Sequence, residues 1–256
     1  MVEAAIGVSH SLAWPIADDH WRFVAAMGLF CPQVSQMGAK WPQNRICQAM
    51  VLLFWLMLCA PVVQAWLFDG SGHIAPGWVW GSFLALLIVA GLLNNGPTRY
   101  APTAFCLATA QTIMTYPYLP WATAQLSPAA VLAALVILLI GIGLVVCGWP
   151  GRSTVLRAED RAWLDFRDSF GAFWAARVMH RVNESAVRFD WGLWLTWNGF
   201  IQVEIAGSHP EFRDELREGL CVCLRRLFGD FVDEAWLDAR LPRPRKRKTC
   251  LEDIEA

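Results

Sequence analysis

The chain has 256 residues, 56% of them hydrophobic and 17% charged, with a formal net charge of -1. That near-neutral balance excludes a broadly basic nucleic-acid binder, and no nucleic acid is expected as a partner. The charges are also unevenly placed: between Ile46 and Gly151 the only formally charged side chains are Asp69 and Arg99, which reads as a membrane domain.

Residues 1–45 read as a cytoplasmic N-terminal segment. They show neither a basic start followed by an apolar core nor a small-residue cleavage site, so a secretory signal is not expected. Asp18-Asp19 can cap a short amphipathic helix that turns Trp21, Val24, Ala25 and Gly28 to the inner membrane interface. A poorly ordered leader is the alternative.

Residues 46–150 divide into four apolar runs, Ile46–Phe68, Ile74–Leu93, Ala101–Pro120 and Pro128–Trp149, none containing Asp, Glu, Lys or Arg. A helix of about 20 apolar residues covers the roughly 30 Å hydrocarbon layer and satisfies its own backbone hydrogen bonds there. The expected fold is therefore integral to a membrane and mainly α, a four-helix transmembrane bundle whose short connections make antiparallel neighbours. Arg22, Lys40 and Arg45 precede the first run, Arg99 separates the second from the third, and Arg152, Arg157 and Arg161 follow the fourth. Basic residues resist translocation, so both termini are expected on the cytoplasmic side, with a bacterial inner membrane as the natural setting. Trp66, Trp78, Trp80 and Trp121 would then mark the outer boundary, and Trp41 and Trp149 the inner one.

Within these runs Pro61 is expected to kink the first helix, and Gly77-x-x-x-Gly81 to let a neighbour approach the second. Thr109, Gln111, Thr112, Thr115 and Tyr116 make the third run the most polar, as interhelical glue or as the lining of a ligand path. The runs hold no ionisable residue of the kind that proton-coupled pumps and voltage sensors need. Eight cysteines contain no Cys-x-x-Cys pair, which disfavours disulfide exchange with quinones; Cys221 and Cys223 should point to opposite sides of a helix.

Residues 151–241 read as a small cytoplasmic α+β domain of helix, β-hairpin, helix and helix. Trp163, Phe166, Phe170, Phe173 and Trp174 recur at helical spacing as a core stripe, with Arg161, Asp165 and Asp168 on other faces. Asn198-Gly199 between β-prone residues signals a hairpin turn, setting Trp197 opposite Phe200 and Leu195 opposite Gln202. Ser208-His-Pro-Glu211 is a capping box, followed by an apolar stripe through Phe212, Leu216, Leu220, Cys223, Leu227 and Phe231. A short helix through Trp236 follows. Residues 242–256 read as a disordered charged tail with weak attraction to anionic lipid.

No Gly-rich phosphate loop, His-Glu-x-x-His or Gly-x-Ser-x-Gly occurs, so no catalytic residue is assigned. Asp69 and His73 share one loop but make too few ligands for a metal site. Trp191-Gly-Leu-Trp-Leu-Thr-Trp-Asn198 resembles the W-G-x-W-x-x-W-D segment of the haem-handling membrane proteins of cytochrome c maturation, over eight residues. The resemblance implies haem contact by Trp191, Trp194 and Trp197, with His180 as the nearby candidate ligand. Asn198 stands where that family has an acid, and the expected topology puts the segment on the cytoplasmic side, whereas the family displays it outside. The function expected is that of a scaffold or assembly factor, set in the lipid bilayer and docking a protein partner through its cytoplasmic domain. The alternative is a carrier of a small lipophilic ligand, haem or quinone.

Overall fold

A computed structural model of the chain describes residues 15–37, 44–65, 67, 74, 76–119, 121–122, 126–151, 157–202 and 214–243. The described residues are mostly helical, with one two-stranded antiparallel sheet among them. The chain divides into two compact units, Met1–Gly38 with Arg45–Gly151 and Ala39–Asn44 with Arg152–Ala256.

The helices of the first unit are α1 (Pro15–Gly28), α2 (Cys31–Met37), α3 (Asn44–Leu58), α4 (Ala60–Gln64), α5 (Trp78–Asn95), α6 (Ala101–Thr115) and α7 (Pro128–Val146). Two of them, α5 with 18 residues and α7 with 19, are long and apolar enough to cross a membrane. A bundle of four such helices is thus not established, and proline is the reason. The first run breaks at Cys59, after which Pro61 opens α4 from its first turn, where the missing N–H leaves no gap. The third run leaves the α-helix at Thr115 for a 3-10 turn, Tyr116–Tyr118, that carries Pro117. By contrast α7 is uninterrupted, started by Ser127, whose side chain accepts from the Ala130 N–H, and by Pro128 in its first turn.

The interhelical contacts differ from the expected ones in three places. Gly77 is the extended, exposed residue before α5, so it shares no helix face with Gly81; the buried stripe of α5 is Gly81, Leu84, Ile88, Gly91 and Asn94. The Thr109, Thr112 and Thr115 hydroxyls donate to carbonyls of their own helix, Phe105, Ala108 and Gln111, at 2.8, 2.8 and 2.7 Å, the back-bonding open to any helical threonine. Among the described residues, Gln111 alone of that polar group reaches across to another helix. Finally, the buried face of α1 is Phe23, Ala26 and Met27, continued by Phe30, all with no exposed surface, while Trp21 is 70% exposed. The helix begins at Pro15, ahead of Asp18-Asp19, and the bulky apolar side chains it buries are Phe23 and Met27, with Trp21 left outside. They pack with Leu58, Cys59, Leu84, Ile88, Ala108 and Tyr118.

The second unit contains α8 (Ala158–Arg188), β1 (Leu193–Thr196), β2 (Gly199–Gln202), α9 (Asp214–Phe228) and α10 (Glu234–Asp238). Helix α8 is bent at Gly171, whose φ of 79° falls where only glycine sits without strain. Trp163 and Phe166 of the expected stripe are fully buried, and Phe166 stacks on Phe228 with ring centroids 4.5 Å apart. Phe173 is instead exposed, and Asp165 and Asp168 are buried. Ion pairs account for the reversal: Asp165 meets Arg240 at 2.8 Å and Asp168 meets Arg167 at 2.8 Å, and a buried charge is tolerated when so paired. The core stripe of α9 is likewise turned by one position, to Leu220, Cys221, Leu224 and Phe228, leaving Cys223 half-buried on the other side. Asp233 caps α10 by accepting from the Trp236 N–H at 2.8 Å.

In the hairpin, Thr196 pairs with Gly199, Leu195 with Phe200, Trp194 with Ile201 and Leu193 with Gln202. The turn is Trp197-Asn198, one residue earlier than expected, so Leu195 faces Phe200 and not Gln202 and the register is shifted by two residues. Positive φ occurs at Gly199 (128°) and not at Asn198. Side chains of α8 and of Arg157, which caps its start, hold this register. Asp160 Oδ1 accepts from the Phe200 N–H at 2.7 Å, Arg157 donates to the Phe200 carbonyl at 2.8 Å, and Arg167 donates to the Trp197 carbonyl at 2.8 Å. A Cβ at residue 199 would lie 2.7 Å from Asp160 Oδ1, so the clamp requires glycine there. On the other strand the Asn183 carboxamide takes both backbone groups of Leu195, accepting from its N–H at 2.8 Å and donating to its carbonyl at 3.0 Å. A two-stranded ribbon is marginal alone, and one helix completes it from both edges.

The capping box Ser208–Glu211, Phe212, the pair Asp69 and His73, residues Lys40, Trp41 and Trp66, and the tail from residue 244 lie outside the described residues.

Candidate functional site

At the end of α8 the chain reverses through Asp190, at φ 49°, and the Trp191 N–H donates to the Ala186 carbonyl at 3.0 Å. This tight exit lays the Trp191 indole over Gly219 of α9 and stacks it on Phe189, with centroids 5.7 Å apart and planes 20° apart. Strand β1 then alternates, Leu193 and Leu195 entering the core and Trp194 facing outward. Between the last turns of α8, the start of β1 and the outer face of α9 lies an open groove of about 1880 Å³. That is wider than the roughly 300–1,000 Å³ of a pocket that encloses a small molecule.

Three of the four residues singled out from the sequence, His180, Trp191 and Trp194, line this groove. Trp197 does not. It sits in the hairpin turn with the Arg167 guanidinium 5.4 Å from its ring centroid, and its carbonyl accepts from both Arg167 and the Trp163 indole. His180 is 74% exposed, its Nε2 lying 3.2 Å from Glu184, whose carboxylate also pairs with Arg181 at 3.6 Å. Burial pushes the Cys223 thiol up, partly offset by a hydrogen bond with Ser185. On the opposite side of α9 Cys221 is pushed up to about 11, by burial first and then by the Glu159 carboxylate. Among the described residues no three His, Cys, Asp or Glu side chains are grouped to hold a metal. The set implied by the haem resemblance is thus split: two indoles and one exposed imidazole share a groove, and the third indole is engaged elsewhere.

Residues that sequence reading passed over complete the groove. Val187, Phe189 and Val222 stand exposed beside Trp194, and Arg188 and Arg226 flank them without a carboxylate partner among the described residues. The available signal was the recurrence of an exposed apolar residue next to an arginine on faces of α8 and α9 away from the core. Comparisons with protein-family models, with curated proteins and with solved structures return no match.

Proposed function

We propose that the chain is a multi-pass membrane protein that acts as a scaffold or assembly factor, holding a protein partner in the groove between α8, β1 and α9. The membrane part of this reading is supported by where apolar side chains point. Helix α7 buries Ala134 and Gly141 alone, while Leu132, Leu139, Ile140 and Ile142 are each at least half exposed. A core helix of a soluble protein would bury them, whereas a helix bathed in lipid turns them outward. In this reading α3 with α4 makes one broken span, α6 with its 3-10 turn another, and Arg99 marks the cytoplasmic connection between α5 and α6.

The docking role rests on one observation: Val187, Phe189, Trp194 and Val222 are 70%, 63%, 43% and 47% exposed in a single groove. Clustered apolar surface beside arginines that meet no carboxylate among the described residues suits an amphipathic partner segment, with an apolar face for the floor and acidic side chains for Arg188 and Arg226. Native mass spectrometry of the protein extracted gently from its own membrane tests this. A stoichiometric protein subunit should be present, lost in Val222→Asp and retained in Phe173→Ala, which alters an exposed aromatic outside the groove. A bare chain, or a subunit indifferent to Val222→Asp, overturns the docking role. A retained chromophore lost with Trp194→Ala would replace it with the carrier of haem or quinone.

A further inference from the structure

We propose that residues 15–37 form a broken membrane crossing of their own, so that the N-terminal end of the chain and its second unit emerge on opposite sides of the bilayer. This rests on the membrane reading above and changes its topology. The first unit carries its own ruler. Trp78, at the start of α5, meets Trp121, beyond α6, with ring centroids 5.4 Å apart, so these residues mark one end of the bundle. Asn95, closing α5, and Tyr100, preceding α6, mark the other.

Along that ruler α1 and α2 run lengthwise. Phe23 packs edge-on against Tyr118 at the tryptophan end, centroids 4.7 Å apart. Halfway along, Gly28 lies beside the Trp55 indole of α3. At the break between α1 and α2, the Gln111 carboxamide of α6 donates to the Leu29 carbonyl at 2.9 Å and accepts from Gln33 at 3.1 Å. Gln33 lies against Gly91, where a Cβ would overlap its carboxamide. Gln36 then accepts from Asn95 at 3.0 Å and Asn94 at 3.4 Å, in the last turn of α5. The segment therefore travels parallel to α5 and antiparallel to α6. From Phe23 to Gln36 it covers about 20 Å at the helical rise. A helix lying flat in one interface would meet all its partners at a single level.

The chemistry fits this depth. A break in a helix is tolerated within a membrane where protein surrounds it and supplies partners, and the partners here are neutral carboxamides. Asp18, Asp19 and Arg22 all precede Phe23, so they fall at the tryptophan end, at headgroup level. Arg99, between the end of α5 and the start of α6, falls at the other end, which keeps a basic residue on that side. Adding this crossing to the four expected makes the number odd.

The test uses a short epitope at each end of the full chain, expressed in bacterial spheroplasts. The N-terminal epitope should be stained in intact spheroplasts and the C-terminal one only after permeabilisation. Both epitopes hidden until permeabilisation, with the chain still resistant to alkaline extraction, overturns the broken crossing while leaving the membrane reading intact. Release by alkaline extraction overturns the membrane reading itself. To guard against an epitope that disturbs insertion, Phe23→Cys with Tyr118→Cys and Gln36→Cys with Asn95→Cys are oxidised and mapped by peptide mass spectrometry. Both disulfides should form in the same membranes, and failure of the Phe23–Tyr118 pair sinks the proposal.

Discussion

Both units bury polar groups, and they do so with different chemistry. In the first unit, side-chain hydrogen bonds between elements join carboxamides, among the described residues: buried Gln33 and Gln111 bond each other, and half-buried Gln36 bonds Asn94 and Asn95. In the second, Glu159, Asp160, Asp165, Arg167 and Asp168 are all under a tenth exposed, and Glu159 reaches Arg217 at 2.6 Å. A guanidinium can neutralise a carboxylate at modest cost when its own stem reaches water, as that of Arg217 does at 46% exposure. Where lipid surrounds the fold, a carboxamide that loses its partner is far less costly than an orphaned ion. On the membrane reading proposed above, the surroundings, more than the need for hydrogen bonds, decide which polar glue each unit uses.

The contrast can be broken by single substitutions. The largest effect is expected from Asp160→Ala, which strands the Phe200 N–H and leaves Arg157 facing an emptied buried site. It should destabilise the second unit by about 3 kcal/mol, read from the near-ultraviolet circular dichroism of the full chain during urea unfolding in detergent. Gln111→Leu, which removes the carboxamide bonds to Gln33 and Leu29, should cost the first unit only about 1 kcal/mol, measured by unfolding in mixed micelles. If the two costs come out equal, the contrast between ionic and neutral glue fails.

A smaller effect tests the ionic side by pH. The Cys221 thiol is held up at about 11 in the folded chain, against about 8.5 for an unfolded cysteine. Below about pH 8.5 the thiol is protonated in both states and its contribution is fully present. As pH rises toward 11 the unfolded state sheds its proton first, so stability is lost across that window. Cys221→Ala should flatten the slope of stability against pH there, and an unchanged slope would mean that burial and the Glu159 carboxylate do not hold the proton.

How much of this was legible depended on whether the deciding partner was local. The α7 helix could be read because its apolar run is self-sufficient and its Ser127-Pro128 start is adjacent. The hairpin could be read from Asn198-Gly199, but its register could not, since Asp160 sits 40 residues from Phe200 and Arg167 sits 30 from Trp197. The same distance hid the buried face of α1, which is set by Tyr118, Leu84 and Leu58 rather than by its own cap. Prolines at 61 and 117 were visible, yet whether each would bend a helix or end it depends on neighbours that can take over the freed backbone groups. For the groove, the spacing places Trp191 and Trp194 but not Trp197, because the turn lies one residue earlier than Asn198-Gly199 and takes Trp197 out of the strand.

The clamp on the ribbon also limits how anything could bind there. With the central amide and carbonyl of each strand already taken, Leu195 by Asn183 and Phe200 by Asp160 and Arg157, neither edge can template an additional strand. Recognition by β-augmentation and runaway edge-to-edge polymerisation are closed off together. Whatever this unit holds must read its side chains, not its backbone.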